Sequence, residues 1–426
     1  MPPPGAPKGT HDLLPDASTA WRWLHGVHVE VARLHGYRLI DSPIFEHTEL
    51  FERGVGTGTD VVEKEMYTFT DRGGRSLTLR PEGTVGVLRA VLEHRLTEEV
   101  RPLRAHYAGP MFRAERPQKG RFRQFHQVGV EAIGERGPQL DVEVVEMGWR
   151  FLQALGITGV VLQLNSLGDH DDRLRYREAL LGYYRPLFDR LCDDCKRRLE
   201  VNPLRVLDCK RDQGLRDAAP LITDSLSEES TAYFAEVRAG LTGAGVPFEL
   251  NPRLVRGLDY YAHTAFEYWH SSLQGAQNSL GGGGRYDGLA EEIGFSPSPG
   301  IGYAFGVERL LLIAGEQGSA PAPEPSCDVV VCSLGAAEAP VAAELARTLR
   351  VAGVRTVLDT SDRKLPGKLK NADRLGARLC VIVGEDEARE GAATVRDLGR
   401  RTQERHAAAG VVDAVAAALA TAGNAA

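Results

Sequence analysis

The sequence predicts two folded units: an α+β unit over residues 1–325, built on a mainly antiparallel sheet flanked by helices, and a smaller α/β unit over residues 326–426. Three observations carry this reading. The 426 residues exceed what one ordinary core supports, since domains usually span about 100–200 residues. The stretch GSAPAPEP at 318–325 lacks apolar periodicity and reads as the end of a linker covering about 315–325. The order of strand-like and helix-like segments also changes there, from mixed before it to regular alternation after it.

Before the linker, helical periodicity runs over residues 17–35, 84–95 and 141–155, whereas 76–79, 124–133 and 160–164 have strand character. That mixture suggests the antiparallel sheet. Residues from about 169 to 250 are charged and helical and carry none of the patterns on either side, so they read as a mostly helical insertion. After the linker, strand-like 329–333, helical 336–352, strand-like 356–359, helical 365–375 and strand-like 379–383 alternate, which predicts a mostly parallel sheet. The alanine-rich segment 407–422 is short and interrupted by Asp413; it reads as an amphipathic helix.

Composition excludes several classes. With 42% hydrophobic and 26% charged residues the chain is neither disordered nor membranous. The start, MPPPGAPKGTHDLLP, has no apolar core that could serve as a secretory signal, and no segment is long enough to span a bilayer, so the cytoplasm is expected. Six cysteines without disulfide-framework spacing fit reduced thiols. Cys192, Cys195 and Cys209 offer three thiols with no His at a ligand-like interval to make a fourth ligand; no metal is expected, and Cys209 reads as a small buried hydrophobe.

A net charge of −7 argues against indiscriminate nucleic-acid binding. Two local basic runs depart from it. Residues 113–123 hold five basic residues against Glu115, and residues 363–378 hold six against Asp373.

Neither G-x-x-x-x-G-K-[ST] nor G-x-G-x-x-G occurs, which removes P-loop and dinucleotide-binding readings. Instead, arginines stand beside carboxylates in strand-like settings. In FRAERPQKGRFRQFHQVGVEAIG (112–134), Arg113 ends one strand, a basic loop follows, and alternation on the next strand puts Phe125, Gln127, Gly129 and Glu131 on one face. Such a face offers a ring for stacking, an amide and a carboxylate for hydrogen bonds, and a glycine for space; His126 points the other way. In LTLRPEGTVGVLRA, Glu82 and Thr84 fall at a helix start, where capping is their ordinary role. LVRGLDYYAHTAFE places Arg256 and the tandem Tyr260 and Tyr261 near a glycine turn. LGGGGRYDGL, whose four glycines read as a flexible loop or a site of close backbone approach, precedes PGIGYAFGVERLLL with Arg309 in a helix.

Together with GTHDLLP (9–15), these blocks resemble the histidyl-tRNA synthetase family of class II aminoacyl-tRNA synthetases over nearly the whole chain. SPIFEHTELFERGVG (42–56) is similar to the first class II motif, FRAERPQKGRFRQFHQ to the second and GIGYAFGVERL to the third, while LVRGLDYY is the most family-specific block. The resemblance implies a catalytic unit over 1–325, an anticodon-binding unit over 326–426, and a homodimer joined through the first motif. It implies ATP-dependent activation of L-histidine and its transfer to tRNA(His), with ATP and Mg2+ required. Arg113, Glu115, Arg121, Phe125 and Arg309 would hold ATP, and Arg113 and Arg256 would be catalytic. Glu82, Thr84 and Gln127 would meet the α-ammonium group, Glu131 and Tyr261 the imidazole, with Arg256 and Tyr260 also in the histidine site. Arg116, Gln118 and Lys119 would touch tRNA, as would the second basic run. The alternative within the same kinship is the noncatalytic, histidine-binding regulatory subunit of ATP phosphoribosyltransferase. That subunit lacks the C-terminal unit and part of the arginine set.

Overall fold

The computed structural model describes residues 3–118, 120–201, 203–209, 211–255, 258–273 and 278–420. Contacts divide the chain into Met1–Ala322 and Pro323–Ala426.

In chain order, the strands of the first unit are β1 (Arg38–Leu39), β2 (Phe45–His47), β3 (Tyr67–Thr70), β4 (Ser76–Leu79), β5 (Leu103–Phe112), β6 (Gln124–Ile133), β7 (Val160–Ser166), β8 (Phe248–Leu250), β9 (Ala262–His270), β10 (Ser279–Arg285) and β11 (Gly300–Gly306). Eight form one sheet in the order β1-β5-β6-β11-β10-β9-β7-β8. Only its edge pairings, β1 with β5 and β7 with β8, are parallel. The apolar faces of helices Pro15–Leu34, Pro138–Ala154 and Val307–Gln317 pack on it around Phe151, Phe266, Tyr268 and Phe305, all fully buried. Antiparallel pairing follows from how the chain returns: β5 and β6 are joined by the basic loop and pair from Leu103–Ile133 to Phe112–Gln124.

The run Gly281–Gly284 is strand, not flexible loop, because it is paired on both sides. Its glycines are steric necessities: a Cβ at Gly283 would lie 1.9 Å from the Gly302 carbonyl oxygen on β11. At the strand's end, fully buried Arg285 donates from Nε to Asp141 (2.9 Å) and from Nη1 to Asp287 (3.0 Å). Asp141 also accepts from Thr264 (2.6 Å) and Tyr233 (3.1 Å), which fixes the helix Pro138–Ala154 to β9 and β10. Removing one member strands the others in a dry site. Arg285→Ala is therefore expected to destabilise the first unit by about 3–5 kcal/mol, read as a lowered denaturation midpoint.

The insertion is helical over His170–Tyr184, Asp193–Val201, Gln213–Asp217 and Glu228–Gly243. A smaller sheet, β2-β4-β3, leaves Ile44, Phe45 and Phe69 exposed.

The second unit contains β12 (Val329–Ser333), β13 (Thr356–Asp359), β14 (Leu379–Val383), β15 (Ala392–Asp397) and β16 (Thr402–Ala407), ordered β13-β12-β14-β15-β16. β12 runs parallel to β13 and β14, but β14 to β15 and β15 to β16 are antiparallel. The expected mostly parallel sheet is thus half parallel. The sequence hid β16 because TQERHA carries almost no apolar residue and lies exposed on the edge. Among the described residues no helix is long and apolar enough to cross a membrane.

Candidate active site

One cleft in the first unit, with an open volume of ≈ 1010 Å³ including its solvent-filled mouth, gathers most of the sequence-predicted residues. Glu82, Thr84, Arg113, Glu115, Arg121, Phe125, Gln127, Tyr260, Tyr261 and Arg309 line it. Arg256 and Lys119 lie outside the described residues. Arg116 and Gln118 are exposed on the loop between β5 and β6, where Gln118 and Arg121 close a tight turn through reciprocal backbone hydrogen bonds of 3.1 and 2.9 Å.

At one end three guanidinium groups come together. Arg113 leaves β5 with Nε donating to the Pro81 carbonyl (2.9 Å), and its guanidinium lies 5.4 Å from the centre of the Phe125 ring. Arg309, in the helix after β11, donates to the Ser279 carbonyl (2.6 Å) and to the Gly120 carbonyl (3.3 Å), which ties the basic loop to the cleft. Arg121 is ion-paired with buried Glu115. Burial lowers the pKa of Arg309, and repulsion from Arg121 and then Arg113 lowers it further; Arg121 is lowered mainly by burial, with Arg113 repelling it too. Like charges held this close are offset by an anion, and guanidinium keeps its proton at any working pH.

The other end is acidic. The Glu82 carboxylate accepts from the backbone N–H groups of Thr84 (2.7 Å) and Val85 (2.8 Å), so it caps the helix Thr84–Glu93 while facing the cleft. The Thr84 hydroxyl donates to Glu131 (2.7 Å), and the Tyr286 hydroxyl donates to the other Glu131 oxygen (2.5 Å). Glu131 is fully buried beneath the lining residues. Burial pushes its pKa up to about 8, against the lowering effect of the Tyr286 and Thr84 hydroxyls. Gln127 keeps a buried Oε1 without a hydrogen-bond partner, an acceptor awaiting a donor. His126 points away: its amide and ring both bond to Glu308, at 2.9 Å for each shorter contact.

Sequence reasoning missed Tyr286, Tyr107 and Glu308. The space expected at Gly129 is occupied by Tyr107, whose ring would lie 2.4 Å from a Cβ there and 2.3 Å from one at Gly83. Two glycines facing one tyrosine on a strand-like run are the sequence signal of that packing. Tyr286 sits two residues past the glycine run, and only the strand assignment of that run brings it under the pocket.

The histidyl-tRNA synthetase family model matches residues 9–168 and 204–310, and an anticodon binding domain model matches 328–418. Histidine–tRNA ligase of Bacillus subtilis (strain 168) is 48% identical over 92% of this chain and 93% of its own length. That of Moorella thermoacetica is 49% identical over 96% of each. The crystal structure of apo S. aureus histidyl-tRNA synthetase superposes with a TM-score of 0.83 at 38% identity, covering 96% of this chain and 99% of that one. With both units matched and nearly half its residues shared with the Bacillus subtilis and Moorella thermoacetica ligases, the chain belongs to the histidyl-tRNA synthetase family.

Proposed function

We propose that the protein activates L-histidine with ATP to histidyl-adenylate and transfers the histidine to the 3′ end of tRNA(His), releasing AMP and diphosphate. The observation that carries this is the convergence of Arg113, Arg121 and Arg309 beside an acidic pocket in one cleft.

Adenylation brings a carboxylate onto the α-phosphorus while the bond to pyrophosphate breaks. Two anionic groups must approach, and preorganised guanidinium forks offset their repulsion without reorganising. Arg113, packed against Phe125, meets the α-phosphate while Phe125 stacks on adenine; Arg121, steadied by Glu115, and Arg309 hold the γ-phosphate end. Arg256 is assigned by resemblance to the reacting carboxylate. Mg2+ would be held mainly by phosphate oxygens, with Glu308 the cleft carboxylate beside Arg309, and when bound it neutralises departing pyrophosphate.

Gln127 Oε1, Glu82 and Thr84 receive the α-ammonium group; Glu131 and Tyr261 read the ring, with Tyr260 packed 4.5 Å from Tyr261. Transfer to tRNA needs chiefly the placement of a ribose hydroxyl beside the mixed anhydride. Arg116, Gln118 and Lys119 contact the tRNA end, and Arg363, Lys364, Lys370 and Arg374, all exposed, serve the second unit. Lys368 leaves that set because it is buried against Asp359 (3.7 Å) and bonded to the Ser361 carbonyl (2.5 Å). The exposed Ile44 and Phe45, within the first class II motif, and Phe69 on the same small sheet as Phe45 supply an apolar face for a homodimer. The cytoplasm is the proposed location.

The regulatory-subunit alternative is disfavoured by the second unit and by the arginines in the cleft. Pyrophosphate exchange measured with each amino acid tests the reading: exchange is expected with histidine and with no other, and absence of exchange with histidine would return the alternative to favour.

A further inference from the structure

The insertion brings together Cys192, Cys195, Cys209 and Asp212, whose ligand atoms all lie within 4.8 Å of one another. We propose that these four side chains bind one structural zinc ion, which fastens the insertion against the loop carrying Tyr260 and Tyr261. The expectation of no metal rested on counting Cys and His alone; folding adds Asp212 as the fourth ligand.

The geometry fits that ion. Cys192 Sγ and Cys209 Sγ are 3.7 Å apart. A tetrahedral site with Zn–S bonds of ~2.3 Å has S···S edges of ~3.8 Å, whereas a disulfide requires ~2.05 Å. The ligands come as two short-spaced pairs, C-x-x-C and C-x-x-D, each at the entry to a helix. Cys195 lies in the first turn of Asp193–Val201, and Asp212 precedes Gln213–Asp217. Backbone N–H groups of Arg211 and Asp212 are directed at the Cys209 sulfur, and that of Cys195 at Cys192, the support a thiolate receives in a metal knuckle. One Asp212 oxygen accepts from the Cys192 amide (3.0 Å), which orients the carboxylate towards the thiols.

Packing alone does not account for the set. Buried thiols behave as small hydrophobes, but packing does not require three of them and a half-buried carboxylate to gather within 4.8 Å of one another, whereas a shared cation does. Three sulfurs with one oxygen suit zinc; magnesium and calcium take oxygen ligands, and iron–sulfur clusters usually take four thiolates.

The position gives the ion its role. Between the two ligand pairs lie Arg198, whose Nη2 is 3.6 Å from Asp60, and Arg205, whose Nη2 donates to Asp259 at 2.8 Å. Asp259 immediately precedes the tandem tyrosines. Closing the 192–212 segment on a metal holds Arg205 against that loop, so loss of the ion loosens a wall of the ligand cleft.

The test uses the full-length chain without a histidine tag. After dialysis against metal-free buffer, mass spectrometry is expected to find about one zinc per chain. The Cys192→Ser/Cys195→Ser variant is expected to retain less than about a tenth of that. Should that variant misfold, the wild-type chain reloaded with Co2+ decides: thiolate-to-cobalt charge-transfer and tetrahedral d–d bands, with three thiols protected from a thiol reagent until chelator is added, support the site. Wild-type chain that takes up neither zinc nor cobalt, or thiols that react equally fast with and without Zn2+, would overturn it. These readouts do not depend on the amino acid the enzyme activates. In the zinc-free chain the KM of the cleft's amino acid is expected to rise about tenfold, the usual scale of a lost supporting contact.

Discussion

Arg113→Ala is expected to lower histidine-dependent pyrophosphate exchange by about 10²–10³-fold, the range found when one preorganised donor to a developing anion is removed. The loss should fall mainly on kcat, because charge on the α-phosphate is redistributed most in the transition state. Arg113 is placed for this by the Pro81 carbonyl and the Phe125 ring, which fix the plane of its fork. Lysine at this position should recover only part of the rate, since a point charge cannot reproduce two parallel hydrogen bonds. The side chain is partly exposed, so the thermal midpoint should barely move. A decrease of less than tenfold would mean that the α-phosphate lies elsewhere.

Glu131→Gln is expected to cost about 10³-fold in kcat/KM for histidine, because the floor of the pocket loses its shared proton while keeping its shape. With the carboxyl pushed up to about 8, an empty site at neutral pH holds a protonated Glu131 facing an incoming neutral imidazole. One proton then serves both groups. Below the ring's solution pKa of about 6.5 binding must expel a proton, and above about 8 it must take one up. Histidine affinity should therefore be greatest between these two values, and the glutamine variant should lose the alkaline limb. Stability carries the same signature. A folded pKa raised from 4.5 contributes stability that is full below 4.5 and is lost as pH rises through about 8. Wild-type melts should thus fall more steeply than those of the variant as pH rises from 4.5 to about 8, and the two should run parallel above that. A flat affinity profile from about pH 6 to about pH 9 would remove Glu131 from ring recognition.

What could be read in advance differed from element to element. β6 was legible because Val128, Val130 and Ala132 recur at every second residue between Gln127, Gly129 and Glu131, and the same two-residue period sets Phe125 and Gln127 towards the cleft. β12, β13 and β14 were legible as short apolar runs. β15 and β16 were not, since a half-exposed edge hairpin has no apolar period to display. The glycine run misled because permissive backbone is as compatible with a central strand as with a loop. Only the opposing backbone of β11 reveals that side chains are excluded there. Tyr286 and Asp212 were out of reach for a common reason: each acquires its role from a partner distant in sequence, Glu131 in one case and Cys192 in the other.

The glycine at 302 bears on how the enzyme's choice of substrate can change. Any side chain there would enter the space of the Glu131 carboxylate, with a Cβ 1.9 Å from Oε2, just as one at 83 or 129 would collide with Tyr107. The proposed recognition surface is shaped by what these three positions lack, so an altered preference for a bulkier or smaller amino acid would require coordinated replacements on β6, on β11 and at the entry to the helix Thr84–Glu93. Single replacements at these positions are expected to meet Glu131 or Tyr107 before they reshape the pocket, which sets a barrier between one preference and the next.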